Sequence, residues 1–330
     1  MHPDKPERRI VFHGEAQVAC EDFAPPGCGP GHVQVRSEFT LMSTGTELIA
    51  LHRVFEDGTD WDRWVRYPFN PGYACVGRIT ALGSGVAGFR MGQRVCGRFP
   101  HASLHTVEAA AITAVPEGVD ARDACWFALA KIASMGLRAA APNPSESVLV
   151  VGCGPIGQML VRWLCAHGIR RILALDPFGD RLHLAREGGA TDLLPMRIED
   201  ALAALRERGA LPEVVVDCTG HPGVLAHALA CAADRGRVIL LGDNGNPGKQ
   251  HLTGDLLFRG LTIRGAHDSH ETGDWNAPLI HDTFFRLHGS GRFPLAGLNT
   301  HCFAPEQGAA AYAFARERRG DTMGIFFEWR

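Results

Sequence analysis

The chain places its most chemically specific residues in one stretch. Four apolar residues, Val148 to Val151, run directly into Gly152-Cys153-Gly154-Pro155-Ile156-Gly157. Ile156, Met159, Leu160, Trp163 and Leu164 then recur at the spacing of one buried helix face. Arg171 to Leu175 reads as a second strand, closed by Asp176, 19 positions after Gly157. A strand, a glycine turn, a helix and then a strand ending in an acid form a dinucleotide-binding fingerprint. Gly152 permits the tight turn, Gly154 lets a pyrophosphate approach the backbone, and Gly157 lets helix and strand pack closely. Pro155 and Ile156 open the helix, whose first amides and dipole would hold phosphate. Asp176 would accept hydrogen bonds from the adenosine ribose, which favours NAD. Arg181, five residues on, offers a partner for a 2′-phosphate and leaves NADP open.

Composition narrows the classes of function. A chain of 330 residues with 45% hydrophobic and 21% charged content suits a soluble globular protein of two domains. A formal charge of -3 gives no electrostatic reason to expect nucleic acid or an anionic membrane as partner. The ten cysteines stand singly, with no CxxC pair to suggest a zinc ribbon or a disulfide framework. The charged start, residues 1–9, leads into no apolar signal core, and no apolar run approaches membrane-spanning length. A reduced, cytoplasmic protein acting on a small molecule is the expectation.

Elements that would position these residues follow from pattern. Residues 9 to about 118 are glycine-punctuated and β-prone, as in the alternating Val33-Gln-Val-Arg36, and predict a compact β-barrel-like domain. Asp123 to Ala141 predicts one helix, stopped by Pro142-Asn-Pro144. Strands are expected at 148–151, 172–175, 193–194, 214–216, 238–241 and 261–263. Helices are expected near 155–167, 179–187, 199–208, 222–232 and 276–288. That alternation predicts an α/β unit with a six-stranded, doubly wound parallel sheet. Asp217 to Gly220 and Gly242 to Gly245 fall at the carboxyl ends of strands and are expected at the cofactor crevice. Residues 291–330 are expected to return to the first domain.

Ser43-Thr44-Gly45-Thr46-Glu47, Asn70-Pro-Gly72-Tyr73-Ala74-Cys-Val-Gly77, Val86 to Val95 and the glycine fingerprint together resemble the medium-chain dehydrogenase/reductase superfamily. The resemblance covers nearly the whole chain. It implies a GroES-like catalytic domain, residues 1–118 and 291–330, and a Rossmann dinucleotide-binding domain, residues 119–290. Among zinc-less relatives the chain is similar in flavour to bacteriochlorophyllide dehydrogenase-like proteins, and it is also threonine dehydrogenase-like. Only scaffold signatures match, so no tetrapyrrole substrate is carried over. Assembly as a homodimer or homotetramer through 238–263 is implied as well.

In the zinc alcohol dehydrogenases of this superfamily a Cys, a His and a third Cys or Glu hold the catalytic metal. The matching positions here are Thr44, Tyr73 and Lys131, none of them an ordinary zinc ligand. No cysteine lies between Cys96 and Cys125, where the structural zinc lobe would be. No zinc is therefore expected, with His267 and His270 as the residual metal-binding alternative. Without the ion another group must stabilise the reacting oxygen. The resemblance assigns Thr46 to the hydroxyl that relays the substrate proton. Lys131 is either a cation beside the oxygen or a residue on the wet face of its helix. Tyr73 is either a pocket wall or a proton donor. The nicotinamide end is expected to be framed by Met135, Thr219, Gly242, Asp243 and Ala266-His267-Asp268, with His267 as a candidate base. Trp61 and Trp64 either line a substrate pocket or fasten their loop.

The leading expectation is a zinc-independent NAD(H) oxidoreductase that interconverts a secondary alcohol and a ketone. A carbon–carbon double-bond reductase of enoyl or quinone type is the second reading. A nucleotide-binding protein without catalysis is the third.

Overall fold

A computed structural model describes residues 6–329, so the first five residues of the charged N-terminal stretch lie outside the described residues. The chain divides into two compact units. One comprises Met1–Val54, Asp62–Ala128 and Leu298–Arg330, the other Phe55–Trp61 and Leu129–Gly297.

The first unit begins with an antiparallel pair, β1 (Glu7–Gly14) and β2 (Gln17–Phe23). β3 (His32–Leu41), β4 (Cys75–Leu82), β5 (Arg94–Gly97), β6 (Leu104–Glu108) and β7 (Ile112–Ala114) follow. β3 pairs antiparallel with both β4 and β6, and β5 lies between β4 and β7. The alternation at Val33 and Val35 turns both side chains inward, where they pack with Cys75, Ile79, Val95, Phe99 and Ile112.

The second unit holds β8 (Ser147–Val151), β9 (Arg171–Leu175), β10 (Asp192–Leu194), β11 (Val214–Asp217), β12 (Arg237–Leu240) and β13 (Thr262–Gly265). They pair in parallel in the order β10-β9-β8-β11-β12-β13. β8 is buried at every position, because helices cover both faces of such a sheet and leave no wet side. The strand order reverses between β8 and β11, the crevice where ligands of open α/β sheets bind. Crossover helices span Pro155–Ala166, Gly179–Glu187, Ile198–Glu207 and Val224–Cys231. Two C-terminal strands, β14 (Asn299–Phe303) and β15 (Gly324–Glu328), then join the first unit's sheet beside β3.

Several boundaries differ from the sequence expectation, and the returning C-terminal segment of the first unit begins at Leu298 rather than at 291. The helix expected over 123–141 is two helices, Ala121–Cys125 and Phe127–Ala140, interrupted at Trp126. The Trp126 amide bonds back to the Asp123 carbonyl, and its buried indole donates to Asn299 Oδ1 at 2.8 Å. The shorter helix packs on β3 and β4, which carries the first unit to Ala128 rather than to residue 118. Residues 55–61 join the second unit, where the Glu56 amide donates to the Gly245 carbonyl at 2.8 Å and Glu56 Oε2 accepts from the Gly248 amide at 3.1 Å.

Candidate active site

In the second unit the glycine turn has the geometry its sequence demands. Gly152 lies at φ +86°, and a Cβ on Gly157 would stand 2.0 Å from the Gly152 carbonyl oxygen. Gly154 differs: a Cβ there would meet only Arg181 Nη1, at 3.6 Å. Gly154 is therefore not required by protein packing, and the space beside it suits a pyrophosphate against the backbone. Gly154 caps the helix Pro155–Ala166 without a side-chain bond, so no capping side chain competes for the amides of the first turn, Ile156 among them. These residues fit a dinucleotide.

Asp176 is 3% exposed at the end of β9. Its Oδ2 accepts the Cys153 amide at 2.8 Å and its Oδ1 the Phe178 amide at 2.9 Å. The acid thus fastens the glycine turn to the neighbouring strand. Arg181 Nη1 stands 3.8 Å from Asp176 Oδ2, and its guanidinium lies 5.3 Å from the centroid of Phe178. The same arginine is thereby drawn toward a carboxylate rather than held out for a phosphate.

Beyond β11, Thr219 donates through both its amide, at 2.8 Å, and its hydroxyl, at 2.6 Å, to Asp217 Oδ1. Burial pushes the Asp217 carboxyl up to about 6, against the Thr219 bonds that pull it down. A Cβ on Gly242 would lie 2.2 Å from the Gly220 nitrogen, so this turn admits only glycine. Ala266 is buried and donates its amide to the Leu240 carbonyl at 2.9 Å, while Met135 is buried on the helix Phe127–Ala140.

Lys131 is not on a wet face. It is 4% exposed, with Nζ 2.8 Å from Asp268 Oδ1 and 2.6 Å from Glu271 Oε1. Burial raises the Glu271 carboxyl, but hydrogen bonds from Lys131 and the Ala277 amide more than offset this and leave it below its usual range. One cation between two carboxylates presents no net positive charge. His267 and His270 are exposed; His267 Nδ1 lies 2.7 Å from Ser269 Oγ, and its amide donates to His270 Nδ1 at 3.2 Å.

The first unit brings Thr46 and Tyr73 together from segments 27 residues apart, their oxygens separated by 3.4 Å. Thr46 lies on the short helix Thr44–Leu51, which Thr44 opens. The Tyr73 hydroxyl donates a short bond to Ser43 Oγ. Ser43 is held in turn: its amide donates to Glu47 Oε1 at 2.7 Å. Glu47 Oε2 accepts from Tyr312 at 2.5 Å and lies 3.0 Å from His101 Nε2, with all three side chains buried. Ser43, His101 and Tyr312 were missed by sequence reasoning. Only the adjacency of Ser43 to Thr44 offered a signal, because His101 and Tyr312 lie 54 and 265 positions from Glu47. Trp61 stacks on Phe55 at 6.2 Å, whereas Trp64 meets Phe69 edge-on at 5.2 Å. Each tryptophan has a packing partner of its own, which supports the loop-fastening role.

Zinc does not fit the matching positions. Thr44 and Tyr73 offer neutral hydroxyls, Lys131 is paired with carboxylates, and zinc takes thiolate, imidazole or carboxylate. Among the described residues no group of three or more His, Cys, Asp or Glu stands ready to hold a metal ion.

Comparison with known proteins locates this architecture. The family described as "Zinc-binding dehydrogenase" matches residues 155–281. L-threonine 3-dehydrogenase of Bacillus licheniformis is 33% identical over 175 residues, 52% of this chain and 48% of that protein, so the chain spans about half of it. L-threonine 3-dehydrogenase of Bacillus subtilis is 27% identical over 292 residues, 76% of this chain and 82% of that one. The structure of an alcohol dehydrogenase, RspB of E. coli CFT073, complexed with NADH superposes with a TM-score of 0.81 at 20% identity. That match covers 98% of this chain and 99% of the other. With its glycine fingerprint, its parallel sheet and its separate mixed sheet, the chain is similar to medium-chain dehydrogenases/reductases, and its residues 155–281 match the family described as zinc-binding dehydrogenase.

Proposed function

We propose that the protein is a zinc-independent, NAD(H)-dependent oxidoreductase that interconverts a secondary alcohol and a ketone on a small or medium metabolite. The observation that carries this reading is the hydroxyl cluster of Ser43, Thr46 and Tyr73, in which Tyr73 stands at a position matched to a zinc ligand and offers a neutral hydroxyl that zinc does not take. When bound, the nicotinamide would supply or accept the hydride. Gly152, Gly154, Pro155, Ile156 and Gly157 would hold the phosphates, and Asp176 the adenosine ribose. Thr46 and Tyr73 would hydrogen-bond the reacting oxygen and exchange its proton. Lys131 serves this reading as the residue that holds the segment with Asp268 and Glu271, its charge already engaged there. The relatives named L-threonine 3-dehydrogenase support a secondary hydroxyl as the reacting group.

No described helix is long and apolar enough to cross a membrane. We take the protein as cytoplasmic. Leu257 and Phe258, 80% and 86% exposed beside the edge strand β13, support a homodimer or homotetramer.

Titration with NADH and NADPH by intrinsic fluorescence tests the cofactor assignment. The proposal expects tighter NADH binding. A preference for NADPH would replace it with the double-bond reductase, and binding of neither nucleotide would remove the enzyme reading.

A further inference from the structure

The proposed function leaves open which side chain exchanges the proton with the substrate oxygen. We propose that Tyr73 is that group, and that Ser43 and Arg98 are the positioning residues that set its hydroxyl and its charge. This rests on the alcohol–ketone reading above and goes beyond it by singling out one donor and two residues to which the motifs assign no role.

Three observations within the first unit carry the assignment. The Tyr73 hydroxyl has two hydroxyl neighbours, Ser43 Oγ, which accepts from it, and Thr46 Oγ1 at 3.4 Å. A phenol held this way has a fixed direction, and Thr46 is left as the outer, half-buried hydroxyl. Ser43 cannot drift, because its amide is bonded to Glu47, whose other oxygen is bonded by His101 and Tyr312 in the buried interior. The Arg98 guanidinium lies 4.8 Å from the Tyr73 ring centroid, close enough for its charge to favour a phenolate. The charged groups facing Tyr73 are Arg98 and, through Ser43, Glu47. Burial pushes the phenol above its ordinary value and Glu47 adds to the rise, while Ser43, Thr46 and Arg98 pull it back.

The chemistry balances in the carbonyl-reducing direction. The substrate carbon gains a hydride from a reduced nicotinamide dinucleotide. The Tyr73 O–H bond breaks as a new O–H bond forms on the substrate oxygen. The phenolate left behind recovers its proton from solvent through the Thr46 hydroxyl, and alcohol oxidation runs the same transfers in reverse. A phenol is a stronger acid than the alcohol formed, so its donation to a forming alkoxide is downhill.

The chain has three tyrosines, so the ultraviolet phenolate titration of the parent minus that of Tyr73→Phe isolates Tyr73. Arg98→Met is expected to move that titration to higher pH and to lower kcat for ketone reduction about 10-fold, with nucleotide affinity unchanged. That is part of the roughly 100-fold or larger contribution of a general acid. Arg98→Lys, which keeps the charge, is expected to restore both readouts. Ser43→Ala is expected to act in the same direction as Arg98→Met. A Tyr73 titration unmoved by both Arg98→Met and Ser43→Ala overturns the assignment, as does full kcat in Tyr73→Phe. If the intact protein passes no hydride from NADH to any ketone, the proposed function fails; the titration still decides whether Ser43 and Arg98 set the Tyr73 ionisation.

Discussion

In the first unit the hydroxyls of Ser43, Thr46 and Tyr73 are bonded to one another, with the Arg98 guanidinium over the Tyr73 ring and the Glu47 carboxylate engaged by His101 and Tyr312 in the interior. In the second unit the corresponding buried group, Lys131, is an ion held between two others, Asp268 and Glu271. Neutral hydroxyls are cheap to bury once paired and can both donate and accept a proton. An ion trio is costly to bury and depends on all its members, so it fixes a segment rather than reacts. A lysine at a position matched to a metal ligand need not carry the metal's electrostatic role.

Lys131→Met breaks the comparison most severely. Two carboxylates would be left without their cation, and an unfolding free-energy loss of about 4 kcal/mol is expected by denaturant titration. Lys131→Met combined with Asp268→Asn and Glu271→Gln should recover part of that loss. Recovery to no extent would mean that the trio is not a coupled unit.

The units also answer pH in opposite directions. Burial raises Asp217 in the second unit from 3.8 to about 6, so its contribution to stability is full below 3.8 and is lost as pH rises through 6. Burial depresses His105 in the first unit from 6.5 to about 4, so its contribution is full above 6.5 and is lost as pH falls through 4. Each window spans about 3 kcal/mol. Asp217→Asn should flatten the first dependence and His105→Gln the second; the same pH curve in parent and variant would remove that residue from the account.

Smaller effects sharpen the functional side. Tyr73→Phe should lower kcat about 100-fold with unchanged nucleotide affinity, read by steady-state kinetics and fluorescence titration. Asp176→Ala should weaken NADH about 10-fold and relax discrimination against NADPH, since the ribose would lose charge-assisted acceptors. Unchanged selectivity would assign Asp176 only to the Cys153 and Phe178 amides.

The second unit was the more legible in the sequence. Val148 to Val151, Gly152 to Gly157 and Asp176 are local signals, set by strand burial, turn geometry and helix entry, and the structure keeps their order and sheet position. The hydroxyl cluster was half legible. Thr46 and Tyr73 stood out by resemblance, but Ser43 and Arg98 matter only because folding brings them to one phenol. Lys131 was singled out without its partners, because Asp268 lies 137 positions away and no local pattern announces an ion pair of that separation. The break at Trp126 was hidden for the same reason: a run without Pro and rich in Ala and Leu gave no hint that the indole would be held by Asn299, 173 positions on.

The central claim is that hydroxyls do the work that a zinc ion does in related enzymes. The most direct measurement is elemental analysis and ketone-reduction turnover on one purified sample, before and after exhaustive chelation. The account predicts zinc far below one ion per chain and turnover unchanged by the chelator. One zinc per chain, with turnover lost on chelation and restored by added zinc, would contradict it.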